Sequence, residues 1–391
     1  MAIEEQDFNS INEKLREHLD SPRQNWLFGA GISYESNIPL MYPFTDRVKE
    51  IIEASAHKKN IEIYEILGKE LEESAHIEHY LSHLGDLITL SERSRTKSAS
   101  IGKSNYSEAE LLDLYKSIIK AIGITVRYGY SKNGGEPLIG TAEEPIVEID
   151  QHIKFIQSIY SNRANLTSRS KLTFFTTNYD TLLEDALGLE KITVVDGFSG
   201  GSIGYWNPVN EFSKEVIHPS KCYLYKLHGS IDWQRDKQKG LVRTRYGTKY
   251  LKNISDILIY PQATKYIETQ KDPFSYLFTG FRNALSSSND NVLITCGYSF
   301  GDEHINAEIE SALSSLLNRT TLIAFISEDN NNGQKVNKTL DSWLINPNFG
   351  ERVYAAGKKG IYYNSITPLE PNEEGELDWW KFDGLTNYIS N

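Results

Sequence analysis

The sequence predicts an α/β fold, with a Rossmann-like parallel sheet that carries helices on both faces and a helical insertion. Short apolar runs rich in β-branched and aromatic residues, such as KLTFFTT and NVLITC, alternate with helical patterns beyond residue 171. Near the start of the chain, the apolar run WLF leads directly into the glycine-rich turn GAGIS. This alternation favours a parallel sheet that is covered on both sides, and the turn is typical of a strand that feeds a helix.

The pattern along the chain divides it into three predicted parts. Residues 1–56 and 166–330 would form the α/β domain, residues 57–165 a helical insertion, and residues 331–391 a C-terminal segment packed on the core or used in assembly. The insertion is charge-rich and mostly helical in pattern, as in IEIYEILGKELEE. Residues 8–20 have the spacing of an amphipathic helix that leads into the first strand. This helix and the insertion are candidate assembly surfaces.

The composition excludes several classes of function. The chain has 41 Lys and Arg against 53 Asp and Glu, a formal net charge of −12. Direct nucleic-acid binding needs clustered basic residues, so it is not expected. The chain starts with an acidic, polar segment and contains no apolar run near the ~20 residues of a spanning helix. We therefore expect a cytoplasmic protein with no membrane association.

The two cysteines, Cys222 and Cys296, lie in apolar stretches. We predict that both are buried thiols in a reducing compartment. Two cysteines cannot form a four-cysteine zinc module. His76, His79 and His83 share one helix face, but no carboxylate or cysteine set completes a ligand pattern. We therefore predict no metal site.

The first candidate motif is the turn Gly29-Ala30-Gly31-Ile32-Ser33. Glycine allows the backbone to turn sharply and to approach a pyrophosphate closely. Tyr34 occupies the place of the third glycine in the dinucleotide fingerprint, so the match is partial. The alternative is a tight strand-to-helix turn with no ligand.

The second motif, Thr177-Asn178-Tyr179-Asp180, follows a predicted strand. An amide at a strand end can hold a ribose hydroxyl or a water, and a carboxylate beside it can accept from a carboxamide. The alternative is structural: Asp180 or Thr181 caps the next helix, where Thr181 and Glu184 have capping-box spacing, and Asn178 is a turn residue.

His228 also follows a predicted strand, in LHGS with Trp233 shortly after it. A histidine in this position is suited to act as a general base, because its ordinary pKa is near neutral. The alternative is a histidine that only hydrogen-bonds a loop.

The last motif is GYSFGDEHIN, after the strand NVLITC. Gly297 and Ser299 are placed to contact the adenosine end of a dinucleotide through backbone and hydroxyl groups. Asp302 is interpreted as the N-cap of the following helix and His304 as structural. Ligands of open parallel sheets bind at the carboxyl ends of strands, so all four motifs are expected around one site.

In this order the four segments resemble the sirtuin superfamily. GAGIS resembles its phosphate-binding loop, TTNYD its nicotinamide-side segment, LHGS its active-site histidine, and GYS its segment near the adenosine. TTNYD, LHGSIDW and GYSFGDEHIN together are similar to the bacterial sirtuin-like NADase domains of antiphage defence systems, including the Thoeris effector and the sirtuin-like partners of HerA-type ATPases. The resemblance covers residues 25–40 and 171–327.

The resemblance implies roles for individual residues. Asn178 would hold the water or ribose, Asp180 the carboxamide, and His228 would act as a base. Residues implied to bind NAD⁺ are Gly29, Ala30, Gly31, Ser33, Thr177, Gly297 and Ser299. Because the zinc module of the protein deacylases cannot form here, the resemblance implies NAD⁺ hydrolysis to nicotinamide and ADP-ribose. Such an activity would drain NAD⁺, so control by oligomerisation and by a HerA-type ATPase or helicase partner is expected.

Three other functions remain open at this point. An NAD-dependent deacylase or ADP-ribosyltransferase would need an acceptor channel beside His228. A non-catalytic sensor of NAD⁺ or ADP-ribose would gate a partner, although it need not keep both Asn178 and His228. A Rossmann dehydrogenase is disfavoured by Tyr34 and by the lack of an obvious substrate domain.

Overall fold

The computed structural model describes residues 7–132, 135–163, 172–212, 221–236, 240–244, 254–259, 272–328, 335–371 and 375–390. Its helices are α1 (Phe8–Leu19), α2 (Met41–Glu53), α3 (Lys58–Glu70), α4 (Ile77–Arg93), α5 (Glu108–Tyr128), α6 (Asp150–Arg163), α7 (Leu182–Leu189), α8 (Pro208–Phe212), α9 (Phe274–Leu285), α10 (Glu303–Ser314), α11 (Lys338–Leu344) and α12 (Phe382–Ser390). Its strands are β1 (Gln24–Phe28), β2 (Ser98–Ile101), β3 (Ser104–Ser107), β4 (Tyr130–Ser131), β5 (Leu138–Ile139), β6 (Leu172–Thr176), β7 (Thr193–Val195), β8 (Phe198–Gly200), β9 (Ile203–Trp206), β10 (Lys221–Lys226), β11 (Gly229–Asp236), β12 (Gly240–Thr244), β13 (Ile254–Ile259), β14 (Asn291–Cys296), β15 (Thr320–Phe325), β16 (Val353–Ala356) and β17 (Ile361–Tyr363).

The central element is an eight-stranded sheet in the order β17-β16-β15-β14-β1-β6-β10-β7. Neighbouring strands are parallel, except that β17 runs antiparallel to β16. Strand β1 lies in the middle, with the earlier part of the sheet on one side and the later part on the other. This topology confirms the predicted α/β fold with a mostly parallel sheet.

Both faces of the sheet are covered by helices, as predicted. Successive side chains of a strand point to opposite faces. Accordingly, Leu27 packs into the core under α9, α10 and α11, whereas Trp26 and Phe28 pack into the core under α1, α6, α7 and α12. Every residue of β1 is buried, which explains why its apolar part, WLF, does not alternate with polar residues.

The first helix packs its apolar face on this sheet. Ile11 and Leu15 are fully buried there, and the Arg16 guanidinium lies 4.4 Å from the centre of the Tyr388 ring. The apolar stripe predicted for residues 8–20 is therefore used inside the protein rather than left exposed for assembly.

Helices α2, α3, α4 and α5 form a separate group that we call the helical layer. They enclose their own apolar core, in which residues such as Val48, Leu84 and Leu114 are fully buried. Leu182 and Ile231, which belong to the α/β part of the chain, also join this core. The helical layer thus packs directly on segments that follow β6 and β10.

A second sheet of five strands, in the order β13-β11-β12-β9-β8, was not predicted. Its described pairings are antiparallel. The sequence pattern beyond residue 171 predicted a parallel sheet, but β13 pairs antiparallel with β11. The sequence FSGGSIGYW carries the signal of a hairpin, because paired glycines permit the positive φ of a tight turn, and Gly200 has a φ of +114°.

The C-terminal part of the chain extends the central sheet and covers it. Strands β16 and β17 form its edge, and Phe382 and Leu385 of α12 are buried against the face that also carries α6. Helix α11 lies in this part of the chain, and its N-cap Asn337 accepts a hydrogen bond from the Leu340 amide at 2.8 Å.

Both cysteines are buried and unpaired, as predicted. Cys222 lies on β10 and Cys296 on β14, with β1 and β6 between these strands. Burial raises the pKa of the Cys222 thiol to about 12, and it raises the pKa of the Cys296 thiol as well. Both side chains therefore act as small apolar groups. In the described part of the chain, no helix has the length and apolar character needed to cross a membrane.

Candidate active site at the carboxyl ends of the strands

The four predicted motifs follow four adjacent strands, β14, β1, β6 and β10. In the register of the sheet, Phe28 lies beside both Cys296 and Thr176, and Thr176 lies beside Lys226. The four loops therefore begin at the same level of one sheet edge. The order of the strands reverses at β1, which is where open α/β sheets form their ligand crevice.

The glycine turn packs against the loop after β14. The amides of Gly29 and Gly31 donate to the carbonyls of Cys296 and Gly297 at 3.1 and 3.0 Å. A Cβ on Gly31 would lie 2.6 Å from the Gly297 Cα, so no larger residue fits without a backbone shift. The visible role of these glycines is to allow two backbones to touch. Binding of pyrophosphate by Gly29, Ala30 and Gly31 remains a prediction.

Ser33 joins the glycine turn to the loop after β6. Its hydroxyl donates to Asp180 Oδ2 at 2.8 Å and accepts from Asn178 Nδ2 at 3.0 Å. All three side chains are buried. The structure therefore brings Ser33, Asn178 and Asp180 together in one hydrogen-bonded group.

This group fixes the orientation of the Asn178 amide. The single proton of the Ser33 hydroxyl is used by the Asp180 carboxylate, so only the NH₂ end of Asn178 can face Ser33. The Asn178 carbonyl oxygen has no hydrogen-bond partner among the described residues, although the side chain is only 8% exposed. It is a fixed acceptor that a water or a ribose hydroxyl can use.

Asp180 also has a structural role. Its Oδ1 accepts from the Leu182 amide at 3.0 Å, at the start of α7. The predicted Thr181–Glu184 capping box does not form, because the Thr181 hydroxyl donates to Asp185 at 2.7 Å and Glu184 points to Lys226. Both proposed functions of Asp180, helix start and carboxamide binding, use the same side chain, and only the first is visible here.

Below this loop lies a buried ion pair that the sequence did not reveal. Lys226 Nζ lies 3.0 Å from Glu184 Oε1, and both side chains are almost completely buried. The same ammonium donates to the backbone carbonyl of Asp180. Lys226 therefore ties the end of β10 to the loop that carries Asn178.

His228 is paired with a carboxylate from another loop. Its Nε2 lies 2.9 Å from Asp302 Oδ2, and both side chains are 2% exposed. Asp302 is also the N-cap of α10, as predicted, since Oδ1 accepts from the amides of His304 and Ile305. Because the carboxylate accepts from Nε2, it favours the tautomer in which Nδ1 is the basic nitrogen. The Asp302 carboxylate therefore orients the imidazole ring of His228.

Backbone hydrogen bonds hold the Asn178 and His228 loops side by side. The Leu227 amide donates to the Thr176 carbonyl at 2.8 Å, and the Ile231 amide donates to the Tyr179 carbonyl at 3.0 Å. Together with the contacts of Ser33, Gly297 and Asp302, they connect the four loops into one continuous site.

Two further predicted residues, Thr177 and Ser299, lie on the loops after β6 and β14. Thr177 is half-buried, and its amide donates to the Phe28 carbonyl at 3.0 Å. Ser299 is exposed, and its carbonyl accepts from Asn337 at 3.3 Å. Trp233 is buried in the second sheet beside Phe198, with ring centroids 5.2 Å apart, so it belongs to the apolar core.

The described residues contain no group of three or more His, Cys, Asp or Glu side chains that could hold a metal ion. His76, His79 and His83 each contact a nearby side chain. The rings of His76 and His79 lie 4.0 Å apart, and His83 Nε2 lies 3.3 Å from Glu70 Oε2.

Another buried histidine, His152, lies on α6, close enough to Asp180 and Glu184 to interact with their charges. Its Nδ1 is 3.4 Å from the Ser36 hydroxyl, while its buried Nε2 has no hydrogen-bond partner among the described residues. Burial lowers the pKa of His152 to about 4, although the carboxylates of Asp180 and Glu184 act in the opposite direction. The ring is therefore neutral at physiological pH.

We expect His152 to make the protein acid-sensitive. Below pH 6.5 the unfolded chain takes up a proton that the folded chain accepts only near pH 4, so the free energy of unfolding falls by up to about 3 kcal/mol in this window. Urea unfolding of the His152→Phe variant should show a shallower fall from pH 6.5 to 4. Exposed His57→Phe is the control. Parallel curves for the wild type and His152→Phe would contradict the expectation.

Comparison with protein families gives one match, which covers slightly less than half of the chain. Residues 172–347 match the SIR2-like domain. No curated protein matches the chain. The SIR2-like segment contains Asn178, His228, Gly297 and Asp302, whereas the glycine turn and the helical layer lie outside it. The match supports a sirtuin-like domain and indicates an NAD-related activity in general.

Proposed function

We propose that this protein hydrolyses NAD⁺ to nicotinamide and ADP-ribose. The observation that carries the proposal is the presence of two oriented functional groups directly after two adjacent strands. After β6, the Asn178 carbonyl oxygen is held as a fixed acceptor by Ser33. After β10, His228 is oriented by Asp302. An acceptor and an oriented base are the groups that place and deprotonate an attacking water.

The reaction needs little acid catalysis. The ring nitrogen that is bonded to the ribose is cationic in NAD⁺, so nicotinamide departs as a neutral molecule. The bond between this nitrogen and the ribose C1′ breaks, and its electron pair goes to nicotinamide. The oxygen of a water forms the new bond to C1′, and His228 accepts one proton of that water. The balance is NAD⁺ and water giving nicotinamide, ADP-ribose and a proton.

The residues of the site fit this substrate. The Asn178 carbonyl oxygen can accept from the attacking water or from a ribose hydroxyl, and Asp180 can accept from the carboxamide. The buried surroundings strengthen such contacts, because charges interact more strongly where water is excluded. Gly29, Gly31, Gly297 and Ser299 lie at the edge where the dinucleotide would extend.

We further propose that the activity serves antiphage defence by depleting NAD⁺, under the control of oligomerisation and a HerA-type ATPase partner. The support is the similarity of the three motifs after β6, β10 and β14 to sirtuin-like defence domains, and the danger of uncontrolled NAD⁺ loss.

The decisive experiment measures nicotinamide released from NAD⁺ by the purified protein, alone and with the product of a neighbouring ATPase gene. Asn178→Ala should lower release by about 100-fold or more, because the water loses its acceptor. Asn60→Ala is a matched control, since Asn60 is also buried but donates to Asp113 and Ser117 in the helical layer. Release that survives Asn178→Ala contradicts the proposed site. NAD⁺ binding without turnover in every assembly would instead support a sensor.

A further inference from the structure

Tyr179 lies between the two residues that the proposed function uses, Asn178 and Asp180, and it connects three parts of the molecule. Its carbonyl accepts from the Ile231 amide at 3.0 Å and from the Ser230 hydroxyl at 3.3 Å. These contacts bind it to the segment that follows His228. Its side chain runs the other way, into the helical layer.

There the Tyr179 hydroxyl donates to Glu78 Oε1 at 2.6 Å. Glu78 is 2% exposed and lies in the first turn of α4, where the N-terminus of a helix stabilises a carboxylate. Burial, and then the Glu78 carboxylate, raises the pKa of Tyr179 well above its usual range. The hydroxyl therefore stays protonated and remains a donor.

A second contact links the helical layer to the other loop. The Arg127 guanidinium, on the last turn of α5, donates to the Ile231 carbonyl at 3.4 Å. Leu182 and Ile231 are both buried in the core of the helical layer. The layer thus contacts Tyr179, which is next to Asn178, and Ile231, which lies three residues after His228.

We propose that Glu78 and Tyr179 are positioning residues, which transmit the placement of the helical layer to the Asn178 and His228 loops. The inference rests on the proposed NAD⁺ hydrolysis for its kinetic consequence. A displaced Tyr179 backbone would shift the Asn178 acceptor and the Asp180 carboxylate together. Since small misplacements of reacting groups are costly in rate, the bond to Glu78 acts on turnover more than on substrate binding.

The test uses Tyr179→Phe, Glu78→Leu, the double variant and Glu78→Gln in the full chain. We expect kcat for nicotinamide release to fall by about 10-fold in each of the first two, with KM changed by less than about twofold. The double variant should be no slower than either single variant, because the two substitutions remove the same hydrogen bond. Glu78→Gln keeps an acceptor for the Tyr179 hydroxyl, so it should recover most of kcat.

The matched control is Tyr106→Phe. Tyr106 is also buried and donates to a glutamate of the helical layer, Glu62, at 3.0 Å, so this hydrogen bond joins β3 to α3 and not to the loops after β6 or β10. It should lose stability while keeping kcat. An unchanged kcat in Tyr179→Phe, or an equal loss in Tyr106→Phe, would overturn the proposal.

Amide hydrogen exchange separates this proposal from the proposed hydrolysis. The Ile231 and Leu182 amides should exchange faster in Tyr179→Phe and Glu78→Leu, and not in Tyr106→Phe, whether or not the wild type releases nicotinamide. Wild-type protein without turnover but with this exchange pattern would reject hydrolysis and keep the positioning role. Unchanged exchange at both amides would reject the positioning role.

Discussion

Replacement of Asp302 by Asn should lower kcat for nicotinamide release by about 100-fold or more, with little loss of stability. The amide keeps an oxygen for the amides of His304 and Ile305, and Asn is as good an N-cap as Asp. What it removes is the carboxylate that lies 2.9 Å from His228 Nε2. Without it, His228 loses the carboxylate that orients its ring and selects its tautomer. Single-turnover release of nicotinamide and urea unfolding measure the two effects.

The same substitution at another helix start provides the control. Asp7 is the N-cap of α1 and accepts from the Ser10 amide at 2.8 Å, so Asp7→Asn tests the capping change alone. Its kcat should equal that of the wild type. If Asp302→Asn keeps full activity, His228 is not the base that the geometry suggests.

Lys226→Met should lower the free energy of unfolding by about 3–5 kcal/mol, the range for breaking a buried ion pair from one side. The loss leaves the Glu184 carboxylate buried without its cation, and Glu184 Oε2 already has no hydrogen-bond partner among the described residues. The backbone carbonyl of Asp180 also loses a donor. Urea unfolding at neutral pH is the appropriate measurement.

Two further variants test the reason for this loss. Lys226→Met combined with Glu184→Met should recover most of the stability, because an apolar pair of similar volume replaces a buried ion pair at little cost. Lys49→Met breaks an exposed pair with Glu53 and should hardly move the unfolding midpoint. A double variant as unstable as Lys226→Met would show that packing, not charge, dominates at this position.

The parts of this site that could be predicted from sequence are those whose signal lies within one short segment. A buried strand followed by polar residues located Asn178 and His228, and the spacing after Asp302 located a helix start. The same reasoning found the strands of the central sheet up to β15, since each of them is a local apolar run. It did not find β16 and β17, which lie in the C-terminal segment and for which no strand was predicted. It missed the antiparallel sheet because turn glycines between short strands were not interpreted as hairpins.

The parts that could not be predicted are contacts between distant residues. His228 and Asp302 are 74 positions apart, and Glu78 and Tyr179 are 101 apart. Local rules also fail where a tertiary partner is stronger. Glu184 has the spacing of a capping box with Thr181, but the buried ammonium of Lys226 takes its carboxylate. Pairings of this kind depend on the order of strands in the sheet, which no single segment encodes.

The position of β1 limits which fragments of this protein can be expected to fold. Residues 172–347 include β6 and β14, but the strand between them is contributed by residues 24–28. A fragment cut to the matched residues would lack its middle strand, and two apolar strand edges would face an open gap. We therefore expect a fragment of residues 172–347 to be insoluble when it is produced alone, because the middle strand of its sheet comes from residues 24–28.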